Sequence, residues 1–225
     1  LIEQERHFTA DAAHELRTPL AGIRAQAQVA RGATDDDERA RALNGVMTGC
    51  DRATHAVEQM LTLARLAPDA VSFQPTSVDL GAVLKATIGE LAPIAVAKHM
   101  DIALNDGRGA VVSGDAGLLA ILFRNLIDNA IRYSATGTKV DVDMEVTTSD
   151  VRVTVRDTGP GIPAEQRANV GRRFYRAPGT QAPGSGLGLS IVQRILDLHR
   201  GTIRLDTPAE NTGLLVTIAL PRVAG

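Results

Sequence analysis

His14 is the first residue whose setting suggests chemistry, in the segment Phe8-Thr9-Ala10-Asp11-Ala12-Ala13-His14-Glu15-Leu16-Arg17-Thr18-Pro19-Leu20. If Ala13 lies on the packing seam of a helix, His14 is one step around and faces solvent. Thr18 then shares that face, about 6 Å further along the axis. An exposed imidazole is mostly neutral at pH 7 and offers a nitrogen lone pair, so it is a competent nucleophile towards a phosphoryl group. Glu15 beside it can hold the ring or accept its proton. Pro19 lacks a backbone donor, which frees the Glu15 carbonyl and invites a bend just below the histidine. A lone surface histidine is ordinarily a solvated residue without a role, and His7, His55, His99 and His199 are read that way.

A second chemical group lies in Asn125-Leu126-Ile127-Asp128-Asn129-Ala130-Ile131-Arg132-Tyr133. Asn125, Asn129 and Arg132 recur at helical spacing and share one face, while Leu119, Phe123, Leu126 and Ala130 can face a core. Two amides on an otherwise apolar helix are costly to bury without partners. Amide oxygens suit a hard cation such as Mg2+, and Arg132 suits phosphate oxygens; bonds to the local backbone would account for the asparagines equally well. Further on, Asp157-Thr158-Gly159-Pro160-Gly161-Ile162 follows a strand pattern, and its glycines let the chain approach a ligand closely. Gly184-Ser185-Gly186-Leu187-Gly188-Leu189-Ser190 opens a helix, whose free N–H groups and positive dipole end favour phosphate. It is not a Walker loop, since no Gly-Lys-Ser/Thr follows.

The elements that must position these groups fall into two textures. Near the N-terminus two heptad-like seams read Thr9, Ala13, Leu16, Leu20, Ile23, Ala27, Ala30 and Leu43, Met47, Cys50, Thr54, Val57, Leu61, Ala64. Gly32-Ala33-Thr34 and three following aspartates separate them as a helix stop, a turn and a new start. An αα-hairpin results, and two such hairpins pairing into a four-helix bundle would cover the seams, so homodimerisation is expected. Pro68 and Pro75 mark a linker. The rest mixes α and β: a helix capped by Asp79 and running to about Lys98, a helix over 116–133 capped by Asp115, and strands at Val140–Val146 and Val151–Arg156. Then come a loop-rich stretch over 157–185, a helix from about Leu187 to His199 stopped at Gly201, and a last hairpin of 202–206 and 214–220 turning at Asn211-Thr212-Gly213. Three helices on one face of a sheet, an α+β arrangement, is the expected architecture. The expected domains are 1–66 (helical hairpin), 67–78 (linker) and 79–225 (nucleotide-binding).

The bulk numbers narrow the partners. A net charge of −2 over 225 residues, 3% aromatics and no Trp argue against nucleic acid. The single cysteine forms no internal disulfide. No run of about 18 uninterrupted apolar residues appears. The abrupt start inside a helical pattern suggests a fragment of a longer protein.

His-Glu-Leu-Arg-Thr-Pro resembles the H-box of two-component sensor histidine kinases, and the later motifs resemble, in family order, the N-box, G1 box, F-box (Arg173-Phe174-Tyr175-Arg176) and G2 box. The lid and G2 text are most similar to QseC/PmrB-type members. Gly171 and Arg172 depart from the aromatic and acidic residues common before the F-box. The resemblance implies a dimerising phosphoacceptor hairpin joined to an α/β sandwich of the GHKL ATP-binding type. It implies His14 as phosphoacceptor, Glu15 as its acid/base partner and Thr18 positioning water during dephosphorylation of a response regulator. It further implies ATP and Mg2+ as cofactors, with Asn129 as metal ligand and Asp157 reading adenine. Asn125, Arg132, Tyr133, Gly159, Gly161, Ile162, Arg176, Ser185, Gly186, Leu187 and Gly188 complete the implied nucleotide site, under a lid over 177–185. Partners so implied are a second copy and a response regulator receiver domain. Membrane attachment would come only through missing N-terminal segments, and the location would be the cytoplasmic side of the bacterial inner membrane. A GHKL-type ATPase would not need His-Glu-Leu-Arg-Thr-Pro on a dimerising helix; a kinase-weak, phosphatase-dominant docking module uses the same residues.

Overall fold

A computed structural model describes residues 2–67, 73–105, 109–177, 184–208 and 212–222, with side chains from residue 11 onward. Thr9 of the first seam, Pro68 of the linker, most of the lid and Asn211 of the last turn fall outside the described residues or side chains.

Two long helices lead: α1 (Ile2–Gly32), which runs through Pro19, and α2 (Asp36–Arg65). Asp35 caps α2, its Oδ1 accepting from the Glu38 N–H at 2.7 Å, and Asp36, Asp37 and Glu38 sit favourably at the positive end of the helix. The two helices pack as the expected hairpin, but not through the α2 seam. Ala42 and Ala56 are buried, whereas Met47 is 62% and Leu61 54% exposed, with Leu43 and Val57 also outward. Small residues bring the helices together: a Cβ on Gly49 would come within 2.5 Å of Ile23 Cγ1. The heptad seam of α2 therefore points away from its own partner helix.

The second part begins with β1 (Thr76–Asp79), which pairs antiparallel with β3 (Val111–Gly114). The end of the expected linker is thus a strand, because its backbone finds a partner far along the chain. Asp79 caps α3 (Leu80–Ala97), accepting from the Gly81 and Ala82 N–H groups. α3 meets the length and composition of a membrane span, yet Leu80, Leu84, Leu91 and Ala95 pack into the core beside α4 (Ala116–Tyr133). Asp115 caps α4 through the Leu118 N–H at 2.9 Å. At its other end Lys98 Nζ donates to the Ile131, Arg132 and Ser134 carbonyls, an ammonium placed on the negative pole of the helix.

A five-stranded sheet of order β2-β4-β5-β7-β6 completes the fold, with β2 (Asp101–Asn105), β4 (Lys139–Val146), β5 (Asp150–Arg156), β6 (Thr202–Asp206) and β7 (Leu215–Pro221). β2 runs parallel to β4 and the other pairs are antiparallel. Alternate residues Val140, Val142, Val151, Val153, Val155, Ile218 and Leu220 are buried towards α3, α4 and α6 (Gly188–His199), as a half-covered sheet requires. A four-residue helix, α5 (Ala164–Arg167), lies in the loop region. The left-handed residue ending α6 is Arg200 (φ 54°) rather than Gly201, whose N–H bonds the Leu196 carbonyl. Leu63 and Leu66 of the hairpin belong to the same apolar cluster as the sheet and its helices.

Candidate functional site

A cleft between α4, the loop after β5, the loop before α6 and the side of α2 gathers most of the expected nucleotide residues. Asn129, Arg132, Tyr133, Asp157, Gly161, Ile162, Arg176, Ser185, Gly186 and Gly188 line it. Asn125, Gly159 and Leu187 do not: Leu187 is wholly buried in the core. Gly159 instead donates its N–H to Asp157 Oδ1, and Asn125 faces α2.

Asp157 forms the floor. It is 6% exposed, and its Oδ1 accepts from Gly159 N at 2.8 Å and Leu214 N at 3.2 Å. Burial pushes its carboxyl above the usual aspartate range, and the two backbone N–H groups pull it partly back. Both donors converge on one oxygen, which leaves the other as an acceptor for a ligand amine. Val155, Leu126, Ala130, Val170 and Val216 give apolar walls suited to a flat ring. Only glycine can close this floor: Gly213 has φ 90°, and a Cβ there would lie 1.8 Å from the Asp157 carbonyl oxygen.

The opposite end is built for anions. α6 begins at Gly188 without a side-chain cap on its first turn, and Gly188 and Leu189 line the cleft, so the positive end of the helix lies at it. Gly186, at φ 69°, brings that loop against the backbone of Phe174 and Tyr175, where a Cβ would come within 2.7 Å. Asn129 stands beside this helix start: its Nδ2 is 3.4 Å from a Cβ position on Gly188. Arg132 Nη2 holds Asp128 Oδ2 at 2.7 Å, which orients its guanidinium at the cleft. Among the described residues no group of three or more His, Cys, Asp or Glu could hold a metal ion. A cation held by one amide oxygen, with phosphate oxygens and water completing its shell, is the kind these residues fit.

His14 and Thr18 are exposed on α1, whereas Glu15 is partly covered. Burial raises the Glu15 carboxyl and the Arg176 guanidinium lowers it, so the cleft wall and the residue next to His14 are within electrostatic reach. Two cleft residues carried no signal in the sequence. His55 and Gln59, one helical turn apart on α2, line the pocket from the hairpin side. His55 is partly buried near Arg132 and Asp128, and burial lowers its imidazole pKa. His199, also expected to be solvated, is buried: Nδ1 donates to the Ile195 carbonyl and Nε2 accepts from the Asp115 N–H at 3.0 Å. His99 is exposed, and His7 lies outside the described side chains.

Residues 114–224 match the family described as histidine kinase-, DNA gyrase B-, and HSP90-like ATPase, and residues 4–68 match the His Kinase A (phospho-acceptor) domain. Sensor protein QseC of Salmonella typhi is 42% identical over 212 residues, covering 93% of this chain and 46% of that protein. Sensor protein kinase PmrB of Pseudomonas aeruginosa is 40% identical over 222 residues, 98% of this chain and 46% of that one. The chain therefore spans about half the length of these relatives. The solved cytoplasmic segment of histidine kinase QseC is 30% identical with a TM-score of 0.53, covering 77% of this chain and 95% of that one. With a phospho-acceptor hairpin and an ATPase-type domain matched in one chain, and with the QseC segment covered almost whole, the protein belongs to the two-component sensor histidine kinases.

Proposed function

We propose that this chain is the cytoplasmic part of a membrane-anchored sensor kinase, using ATP to phosphorylate His14 and passing the phosphoryl group to an aspartate of a response regulator. The observation that carries the reading is an exposed imidazole on the phospho-acceptor hairpin of the same chain whose cleft is lined by Asn129, Arg132, Asp157 and the start of α6. Asp157 accepts from the adenine amino group, the α6 N-terminus and Arg132 receive phosphate oxygens, and Asn129 offers its amide oxygen to Mg2+. The metal supplies charge neutralisation on the phosphate tail.

A nitrogen of His14 forms a bond to the terminal phosphorus of ATP as the bond from phosphorus to the bridging oxygen breaks, and ADP leaves with that electron pair. Glu15 takes the proton that the imidazole sheds, its raised carboxyl being closer to a working base than an ordinary glutamate. Thr18, a turn below, positions the water that attacks phosphoaspartate when the kinase acts as a phosphatase. The outward seam of α2, with Met47 and Leu61, joins a second copy in a four-helix bundle. Residues 1–66 form the dimerising phosphotransfer unit, 67–78 the linker and 79–225 the nucleotide domain.

Incubation with γ-labelled ATP and Mg2+ tests this. Label enters the wild-type chain in an acid-labile, alkali-stable form and is absent from His14→Gln, which still binds nucleotide. Asn129→Asp loses labelling but keeps the dimer. Label on serine, or ATP hydrolysis with no labelled protein, rules the proposal out.

A further inference from the structure

Lys98 ends α3 with its backbone fixed on both sides. Its N–H bonds the Ile94 and Ala95 carbonyls, and its own carbonyl accepts from the Gly137 N–H at 3.1 Å. The half-buried side chain crosses to the neighbouring helix, where Nζ donates to the carbonyls of Ile131 at 2.7 Å, Ser134 at 3.0 Å and Arg132 at 3.3 Å. An ammonium has three donors, and each has an acceptor here. Ile131 and Arg132 belong to the last turn of α4, whose carbonyls lack helical partners. The Tyr133 carbonyl, between those that Lys98 holds, rests against the loop after β5: a Cβ on Gly159 would come within 2.8 Å of it. Gly159 N in turn donates to Asp157 Oδ1 at 2.8 Å. Arg132 and Tyr133 line the cleft, whereas Lys98 stands behind it.

The packing of α3 on α4 has other sources. Leu84 and Leu91 of α3 share the buried apolar cluster with Leu119 and Phe123 of α4, and on the surface Arg124 Nη1 meets Glu90 Oε2 at 2.7 Å. What the ammonium adds is local. Helix ends open at little free-energy cost, and carbonyls without partners are drawn to water. Charge-assisted bonds from one cation to this turn hold it closed. Without them Arg132 and Tyr133 lose their fixed positions, and the Tyr133 carbonyl shifts beneath Gly159.

We infer, on the nucleotide reading proposed above, that Lys98 is a positioning residue for ATP. It touches no ligand. It acts through the last turn of α4, which presents Arg132 to the phosphates on one side and backs the loop of Asp157, the adenine floor, on the other. Its loss weakens ATP binding at both ends of the cleft and leaves His14 and Asn129 as they were.

The test uses the whole 225-residue chain. Lys98→Met keeps the stem and removes the cation; Lys98→Arg keeps a cation that can still reach helix-end carbonyls. Glu90→Gln breaks the other polar link between α3 and α4. Calorimetric titration with ATP and Mg2+, at a temperature where thermal melts show every variant folded, reads affinity. Histidine labelling at rising ATP concentration separates KM from kcat. The equivalent of one charged hydrogen bond sets the scale: Lys98→Met binds ATP about tenfold more weakly. Its KM for ATP rises by the same factor while the rate at saturating ATP holds, as loss of uniform binding requires. Lys98→Arg recovers most of the affinity, and Glu90→Gln binds as wild type does. A Lys98→Met chain that melts earlier but binds ATP as tightly as wild type overturns the inference and leaves Lys98 a brace for the fold alone. Equal weakening in Glu90→Gln, or no recovery in Lys98→Arg, overturns it as well. Should Lys98→Met fail to fold, Lys98→Gln, with one amide for three carbonyls, is held to the same outcomes. If wild type itself binds no nucleotide, the ATP reading falls and takes this role of Lys98 with it.

Discussion

Replacing Asp157 by Asn separates what this buried carboxylate does for the ligand from what it does for the fold. Two backbone N–H groups, of Gly159 and Leu214, converge on Oδ1 and demand an acceptor. In Asp157→Asn the amide oxygen must take that place, which turns the NH2 group towards the cleft. A ligand amine then meets a donor where it met a carboxylate oxygen. A hydrogen bond to a charged acceptor is worth about 1.5–3 kcal/mol, so ATP affinity falls about 10- to 150-fold. The fold should not suffer. Burial raises the Asp157 carboxyl above the ordinary aspartate value, so the folded state binds that proton more tightly than the unfolded one. By linkage its ionisation costs stability as pH rises from the ordinary value through the raised one, and the cost persists at pH 7. Asp157→Asn lacks this cost, and its melting temperature at pH 7 equals or exceeds that of wild type. Wild-type ATP affinity also weakens as pH falls through the raised value, while the affinity of the variant stays level across the same window. Calorimetric titration at several pH values, with thermal melts alongside, gives both readouts. Undiminished ATP binding by Asp157→Asn would refute the placement of adenine on this residue, and a melt lowered by several degrees would refute the cost assigned to its ionisation.

Three other outcomes follow from the packing and the buried histidine. His199 is held neutral: burial lowers its imidazole pKa, and its Nε2 accepts the Asp115 N–H. It contributes stability fully above the unfolded histidine value near 6.5, and that contribution is lost as pH falls from there through the lowered folded value. Urea melts of wild type and His199→Leu at pH 7.5 and 5.5 should show the wild type losing more on acidification; parallel losses would remove His199 as the source. Leu122→Ala empties a fully buried site on α4 and costs about 2–5 kcal/mol, read from the urea midpoint. Leu61→Glu, on the outward seam of α2, weakens the dimer at least about tenfold in sedimentation, with an unchanged helical circular dichroism signal. A dimer as tight as wild type would move the interface elsewhere.

The chemistry was legible where residue type and spacing act locally. Asp35, Asp79 and Asp115 announced helix starts because capping is decided within three residues. The central strands alternate plainly, as valines in 140–142 and 151–155 show. β2 and β1 were not visible, since five and four residues carry too little period, and each is a strand only because a distant segment pairs with it. The hairpin was legible but its inner contact was not. Apolar periodicity found the outward seam, whereas Ala42, Gly45 and Gly49 meet the other helix through absence of bulk. His55 and Gln59 look like ordinary polar residues on a helix, and only the fold brings the nucleotide cleft against them. His199 misled for the same reason: the N–H that its Nε2 accepts belongs to Asp115, 84 positions away. Arg200, and not Gly201, takes the left-handed turn, while Gly201 sits where a Cβ would lie 2.9 Å from the Ala219 carbonyl oxygen.

Leu63 and Leu66 leave the hairpin and finish inside the apolar interior of the other domain. A cut made just after the second helix therefore passes through packed material and not through a slack tether. A globular piece freed at that point would carry an oily socket where two leucines used to sit, inviting self-association at working concentrations. Heat should likewise soften the tail of the stalk together with the globule, while the far tip of the stalk, near the Ala33 turn, is left to melt on its own schedule.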